Sequence, residues 1–450
     1  MKTDLLHLRA PGHWINDPNG FIYYKGVYHL FYQYFPYSTM WGTMHWGHAV
    51  SSDLVHWEHQ GVALFPSKGY DRNGCFSGSA LEVDGQLHLY YTGVKYEVFD
   101  DDNIHRIVDE QFESSQALLI SEDGWSFDNF QQKHLVVPPI TDPELGDRAH
   151  TRDPKVWKGQ DGYYMVLGSK VAGQGKLLFY KSDDLLHWQY LNSYSKPGLG
   201  YMWECPDLFT LTDPEGRELS ILLMSPEGVP QGQFYTSHAI CSLVSFQEED
   251  AQLDIPDAYQ LVDYGLDLYA PQTNLDAEGR RVLMAWMRMP SKVQRPGEEP
   301  WIGMMCLPRV IEVVEDHIYF RPHPQVLDSF SSKLEKLNQL DFMKPHYLQA
   351  TLHDGDEICI GGYRIWLQDG VLHTDRSEVF GELEGYDTQF KTPELGTSCK
   401  LDIFVDADII ETFVDQGRYV VSNIVYDLQN YLTSTVDLTV SVQHDLKAYS

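Results

Sequence analysis

Three carboxylates far apart in the chain have neighbours that could set up chemistry: Asp17 in WINDPNG at 14–20, Asp153 in TRDP at 151–154 and Glu204 in WECPD at 203–207. Two carboxylates facing one bond can serve as nucleophile or base and as proton donor, the pair that glycoside hydrolysis requires. Asp17 lies in a polar Asn-Asp-Pro-Asn turn whose donors should keep it ionised, which suits a nucleophile. Glu204 lies between Trp203 and Cys205, and apolar burial beside a second negative charge favours the protonated form that an acid/base needs. Asp153 follows Arg152, whose cation should hold it charged, as an anion that binds sugar hydroxyls and stabilises developing positive charge. Asp-Pro and Asn-Gly are also ordinary turn formers. Three acids at equivalent places of a repeat argue for more than turns.

That repeat is visible in the chain. Residues 21–33, 80–93, 155–168, 208–224 and 273–287 each read as an apolar run, a short turn built on Gly, Asp or Lys, and a second run rich in Tyr, Leu, Met and Val. This is a hairpin signature. An echo follows three of them, SSDLVHWE at 51–58, SEDGWSF at 121–127 and KSDDLLHWQY at 181–190. Four-stranded units with little helical periodicity between them predict a propeller of five blades. The innermost strand of each blade lines the axial channel, so WINDPNG, CFSGSA at 75–80, TRDP, WECPD and APQTN at 270–274 all start strands facing one funnel.

His45, His48, His56 and His59 cluster in sequence, but a spacing of three on a strand points side chains to opposite faces, so they read as hydrogen-bonded blade residues and no metal is implied. DDDN at 100–103 lacks the Gly and terminal Glu of a calcium loop and reads as a solvated insertion. No phosphate-cradling Gly loop, dinucleotide fingerprint or G-x-S-x-G elbow occurs, so no cofactor is expected.

Taken in order, WINDPNG, FYQ at 31–33, WGTMHWGHAVSSDLVHW at 41–57, FSGSA at 76–80, RDP at 152–154, WECPD and YAPQT at 269–273 resemble the successive signatures of glycoside hydrolase family 32. That family includes invertases, sucrose-6-phosphate hydrolases, inulinases and levanases. KLDIFVDADIIETFVDQG at 400–417 is similar to the strand pair of the family's appended β-sandwich, so the likeness covers nearly the whole chain. It implies an all-β protein, a five-bladed β-propeller followed by a β-sandwich, with a retaining site for terminal β-fructofuranose. It also implies that Asp17 is the nucleophile, Asp153 the transition-state stabiliser and Glu204 the acid/base, and that Asn16, Gln33, Trp41, Phe76, Ser77, Arg152 and Trp286 contact the fructosyl unit. Trp46, Trp203 and Trp301 join Trp41 and Trp286 as expected pocket walls. One departure is Ala407, Asp408 and Ile409, where the family commonly has Arg-Ser-Ser.

At 450 residues two domains are expected, a propeller over 1–320 and a sandwich over 341–450. Between them, 321–340 reads as a Pro-bearing linker with a short amphipathic helix. The second domain reads as structural and as the surface through which a homodimer would form. A formal charge of −32 argues against nucleic-acid and anionic-membrane partners, since both need clustered cations. No stretch is long enough to span a bilayer. Six scattered cysteines and a start without a signal-type apolar core point to the cytoplasm. The expected partner is a small sugar: sucrose, sucrose 6-phosphate or a short fructooligosaccharide. A fructosyltransferase, a non-catalytic sugar-binding propeller, and an inverting glycosidase acting on arabinose or xylose stand as alternatives.

Overall fold

The computed structural model describes residues 6–330, the backbone of 332–333, and residues 340–443. All five anticipated hairpins form, and each opens one blade of a five-bladed propeller. The inner strands are His13–Tyr24, Gly74–Val83, Arg152–Lys158, Met202–Thr212 and Leu268–Leu275. The second and third blades are four-stranded, and the others carry a short fifth strand. Two of these short strands close the ring. Trp301–Ile302 pairs in parallel with the first inner strand, while Met304–Met305 pairs with Arg281–Met287 of the fifth blade.

The echo motifs make one turn three times. Asp53, Asp123 and Asp184 each accept backbone N–H groups two and three residues ahead, at 2.7 to 3.0 Å. The residue after each Asp has positive φ: 66° at Leu54, 79° at Gly124 and 69° at Leu185. The carboxylate supplies the acceptor that the bent backbone lacks, so Asp recurs where the strand must reverse.

The sandwich packs a six-stranded sheet, containing His346–His353, Ser398–Asp406 and Ile409–Val414, on a five-stranded sheet containing Glu357–Ile360 and Tyr363–Gln368. Alternate residues such as Leu348, Ile358, Ile365 and Ile403 point inward and are fully buried. Ser398–Asp406 and Ile409–Val414 form the antiparallel pair anticipated at 400–417. Asp408, one of the three departing residues, does not face solvent. It takes both oxygens to Arg295 at 2.7 Å, tying the sandwich to the propeller.

The anticipated helix is shorter than the amphipathic stretch that suggested it. It spans Pro324–Asp328, capped by the His323 side chain accepting from Gln325 N. Ser332–Lys333 is extended and pairs with Thr439–Val442. The remainder of the stretch, 331 and 334–339, lies outside the described residues.

Candidate active site

Every inner strand breaks register with its neighbour at the top of the blade. The shifts fall between Ile15 and Pro18, Phe76 and Gly78, Arg152 and Lys155, Glu204 and Asp207, and Tyr269 and Gln272. A bulge bends the strand and re-aims side chains, and five bulges around one axis aim them at one point. Asp153, Cys205 and Ala270 occupy the same place in three of them, with φ of 65°, 48° and 51°, each followed by a proline.

This geometry corrects the expected equivalence of the three acids. Glu204 pairs with Ser225 just before its bulge, as Arg152 does with Gly168 and Tyr269 with Trp286. Glu204 is therefore the counterpart of Arg152 and Tyr269, one place before the counterpart of Asp153. The three equivalent side chains bond one another. Arg152 donates to Glu204 Oε1 through Nη2 at 2.7 Å and Nε at 3.2 Å, and the Tyr269 hydroxyl donates to Oε2 at 2.5 Å. Gly168 permits this approach: a Cβ there would sit 1.9 Å from the carbonyl oxygen of Trp203.

The acids share one cavity of about 530 Å³, lined by Asn16, Asp17, Gln33, Trp41, Phe76, Ser77, Arg152, Asp153 and Glu204 among others. Asp17 Oδ2 accepts from Ser77 Oγ at 2.6 Å, and the Cys205 thiol stands 3.7 Å from it and 3.6 Å from Asp153 Oδ2. Asp153 Oδ2 also accepts from Cys205 N at 3.0 Å. Asn16 is fixed by Trp14 Nε1 at 2.7 Å, and Gln33 donates to Cys75 O at 3.0 Å. Trp41, 39 % exposed, meets Phe76 edge to face at 5.6 Å and forms the apolar wall.

The electrostatics differ from the expectation in three respects. Burial raises Asp17 to about 6 despite the Ser77 bond, so its polar turn does not hold it in the ordinary carboxylate range. Burial raises Asp153 to about 7, outweighing Arg152, whose Nε is 4.0 Å away. Glu204 does not sit in an apolar setting: it faces the cavity with its two oxygens held by Arg152 and Tyr269.

Four of the five singled-out tryptophans are not walls. Trp46, Trp203 and Trp301 are buried, with Trp203 wedged over Gly175 between blades. Trp286, also expected at the sugar, stands behind the cavity against Trp14, at 6.0 Å between rings, and packs on Cys205, Tyr269 and Ala270. Conversely, Ile107, Asp109, Glu110, Phe112 and His150 line the cavity without having been anticipated. The insertion that holds DDDN exposes Asp101, Asp102 and Asn103, while Asp100 is partly covered and pairs with Arg106; its later half lines the cavity. Tyr269, in YAPQT, was not anticipated either, since only the paired bulges show it to be the counterpart of Glu204. The clustered histidines bond within their blades, His48 to His29, His45 to Thr43 O, His56 to Asp53 and His59 to Tyr32. Among the described residues no group of three or more His, Cys, Asp or Glu is placed to hold a metal ion.

A proton donor and a nucleophile could work on one bond here, since Ser77 and Cys205 orient Asp17 while Arg152 and Tyr269 orient Glu204 across the same cavity. Residues 7–322 match the family model for the glycosyl hydrolases family 32 N-terminal domain, and residues 368–448 the family 32 C-terminal model. The chain is 34 % identical to a raffinose invertase of Escherichia coli, covering 94 % of this chain and 89 % of that one. It is 33 % identical to a sucrose-6-phosphate hydrolase of Bacillus subtilis, over 92 % and 87 % of the two chains. A GH32 β-fructofuranosidase of Bombyx mori, a variant solved in complex with sucrose, superposes with a TM-score of 0.78 at 30 % identity, over 98 % of this chain and 93 % of that one. On both domain matches and on these relatives, the chain belongs to glycoside hydrolase family 32.

Proposed function

We propose that this protein is a retaining β-fructofuranosidase that releases the terminal β-D-fructofuranosyl unit of sucrose or related short sugars. The observation that carries this reading is the meeting of Asp17, Asp153 and Glu204 around Cys205 and Arg152 in one cavity with a tryptophan wall. The likeness to an invertase and to a β-fructofuranosidase solved with sucrose supports the choice of sugar.

In this mechanism Asp17 attacks the anomeric carbon of the fructosyl group while Glu204 gives its proton to the departing oxygen. Water, deprotonated by Glu204, then cleaves the fructosyl ester of Asp17, and configuration is retained. Ser77 holds the attacking carboxylate, and Arg152 with Tyr269 keeps Glu204 in line. Asp153 accepts from the ring hydroxyls and stabilises positive charge that develops on the fructosyl carbon. Asn16, Gln33, Trp41 and Phe76 bind the sugar. A position at 320 for the end of the propeller and at 341 for the start of the sandwich is part of the same reading, supported by a family model that ends at 322. So is a reducing, cytoplasmic location, supported by six unpaired cysteines.

A hydrolysis panel of sucrose, sucrose 6-phosphate, kestose and inulin at equal concentration tests the activity. Release of fructose from sucrose is expected, and its absence from all four sugars would overturn the proposal.

A further inference from the structure

The inner cavity suits a fructosyl unit, but the mouth, where a leaving group would sit, has a charge pattern of its own. Trp41 and Phe76 give it an uncharged wall. Asp109 and Glu110, exposed residues that also line it, adopt φ of 48° and 54° in a turn on the rim. Glu110 Oε2 lies 3.1 Å from His150 Nε2 and 3.7 Å from Lys170 Nζ. Arg152 Nη1 donates to His150 Nδ1 at 3.0 Å, so the imidazole proton sits on Nε2 and points at Glu110. Burial, with Arg152 and Lys170 nearby, lowers the His150 pKa, and the ring is a neutral donor at pH 7.

Two further cations nearby are engaged as well. Arg152 serves Glu204 and Glu227, and Arg148 pairs with Glu97 and Glu113. A phosphorylated leaving group would bring two negative charges to a rim that already carries Asp109 and Glu110. Lys170, the cation nearest that rim, is already paired with Glu110.

We propose that Glu110 is a specificity-determining residue: by occupying the donor pair of His150 and Lys170 at the cavity mouth, it makes the enzyme prefer uncharged leaving sugars over their phosphate esters. The inference rests on the fructosidase reading above and sharpens it, because it chooses sucrose over sucrose 6-phosphate.

The test compares kcat/KM for sucrose and for sucrose 6-phosphate at one ionic strength in the wild type, E110Q and E110Q/K170M. The wild type should favour sucrose by about tenfold or more. E110Q should narrow that ratio by about fivefold, mainly through a lower KM for the phosphate, and K170M in the same chain should cancel the gain. A wild type that cleaves both sugars equally well, or favours the phosphate, overturns the inference and leaves the fructosidase reading standing. So does an E110Q enzyme whose two efficiencies move in proportion. A wild type that releases fructose from neither sugar overturns the fructosidase reading itself.

Discussion

Two regions of this molecule gather three carboxylates and an arginine, with opposite results. In the cavity they are Asp17, Asp153 and Glu204 with Arg152; between propeller and sandwich they are Asp263, Asp406 and Glu411 with Arg309 and His7. At the domain interface the donors are plentiful. Asp406 accepts from Leu6 N, His7 N, Ala407 N and His7 Nδ1, and Glu411 from His7 Nε2, Leu307 N and Arg309. Burial alone would raise both acids, yet these bonds hold them below the ordinary range. In the cavity burial prevails, and Asp17 and Asp153 rise to about 6 and about 7. Asp263 departs from its two neighbours: burial raises it although Arg309 faces it at 2.8 Å and the backbone N–H groups of Gly265 and Ser422 donate to it. For Asp406 and Glu411 against Asp17 and Asp153, the difference is one of donors rather than of depth. Where donors outweigh burial, as at Asp406 and Glu411, the carboxylates serve as a clamp; in the cavity Asp17 and Asp153 have too few donors to offset burial, while Glu204 is held in place by Arg152 and Tyr269.

The largest test of that contrast removes a carboxylate from the cavity. D17N and E204Q should each lower kcat on sucrose by about 10³-fold or more while the circular dichroism spectrum is unchanged. Near-normal turnover in either variant would break the assignment. At the interface the loss should appear in stability instead. R309M leaves Glu411 and Asp263 without their buried cation, and should cost about 3 to 5 kcal/mol in denaturant unfolding. An unchanged midpoint would mean that this network is not a clamp.

His7 gives the interface a pH dependence on the alkaline side. Burial alone would lower it, but its bonds to Asp406 and Glu411 raise it to about 9. A group raised in the folded state contributes stability fully below its unfolded value of 6.5, and loses it as pH rises through about 9. Stability should therefore fall between these values by on the order of 2 kcal/mol, and H7Q should flatten the slope. An equal slope in H7Q would show that another group titrates there.

Much of this architecture was legible because its signals are local. Turn residues between paired apolar runs gave five hairpins, and the Ser-Asp echoes marked a turn that needs its carboxylate. The site residues that start inner strands were legible for the same reason, since the repeat carries them to the axis. What escaped was the one-residue offset at the bulges, which exchanged the counterparts of Glu204 and hid Tyr269. Bulge position depends on pairing with a neighbouring strand, and no single strand records it. The rim escaped too, because Asp109, Glu110 and His150 come from connecting segments with no periodicity. The environment of Glu204 was misjudged from adjacent residues, when the deciding neighbours, Arg152 and Tyr269, lie 52 and 65 residues away in sequence, and that of Asp17 because its turn does not record how deeply the fold buries it.

The finest test sets the same chemical change against both regions. Raising Asp17 from 3.8 to about 6 means that its ionised form weakens the fold at neutral pH. A shift of that size corresponds to about 3 kcal/mol, and solvent reaching the partly exposed carboxylate reduces it to about 1 to 2 kcal/mol. D17N should therefore be more stable than the wild type at pH 7, with the gain fading as pH falls from about 6 toward 3.8, where both chains are neutral at this position. The kcat/KM of the wild type should fall over the same acid interval, because only ionised Asp17 can attack. D406N should do the reverse. Asp406 is lowered in the folded state, so its charge stabilises above the unfolded value, and replacing it should weaken the fold at pH 7. Melting curves of the two variants at pH 7 and pH 4 decide the matter: shifts of the same sign at pH 7 would mean that donor supply does not distinguish the cavity from the clamp.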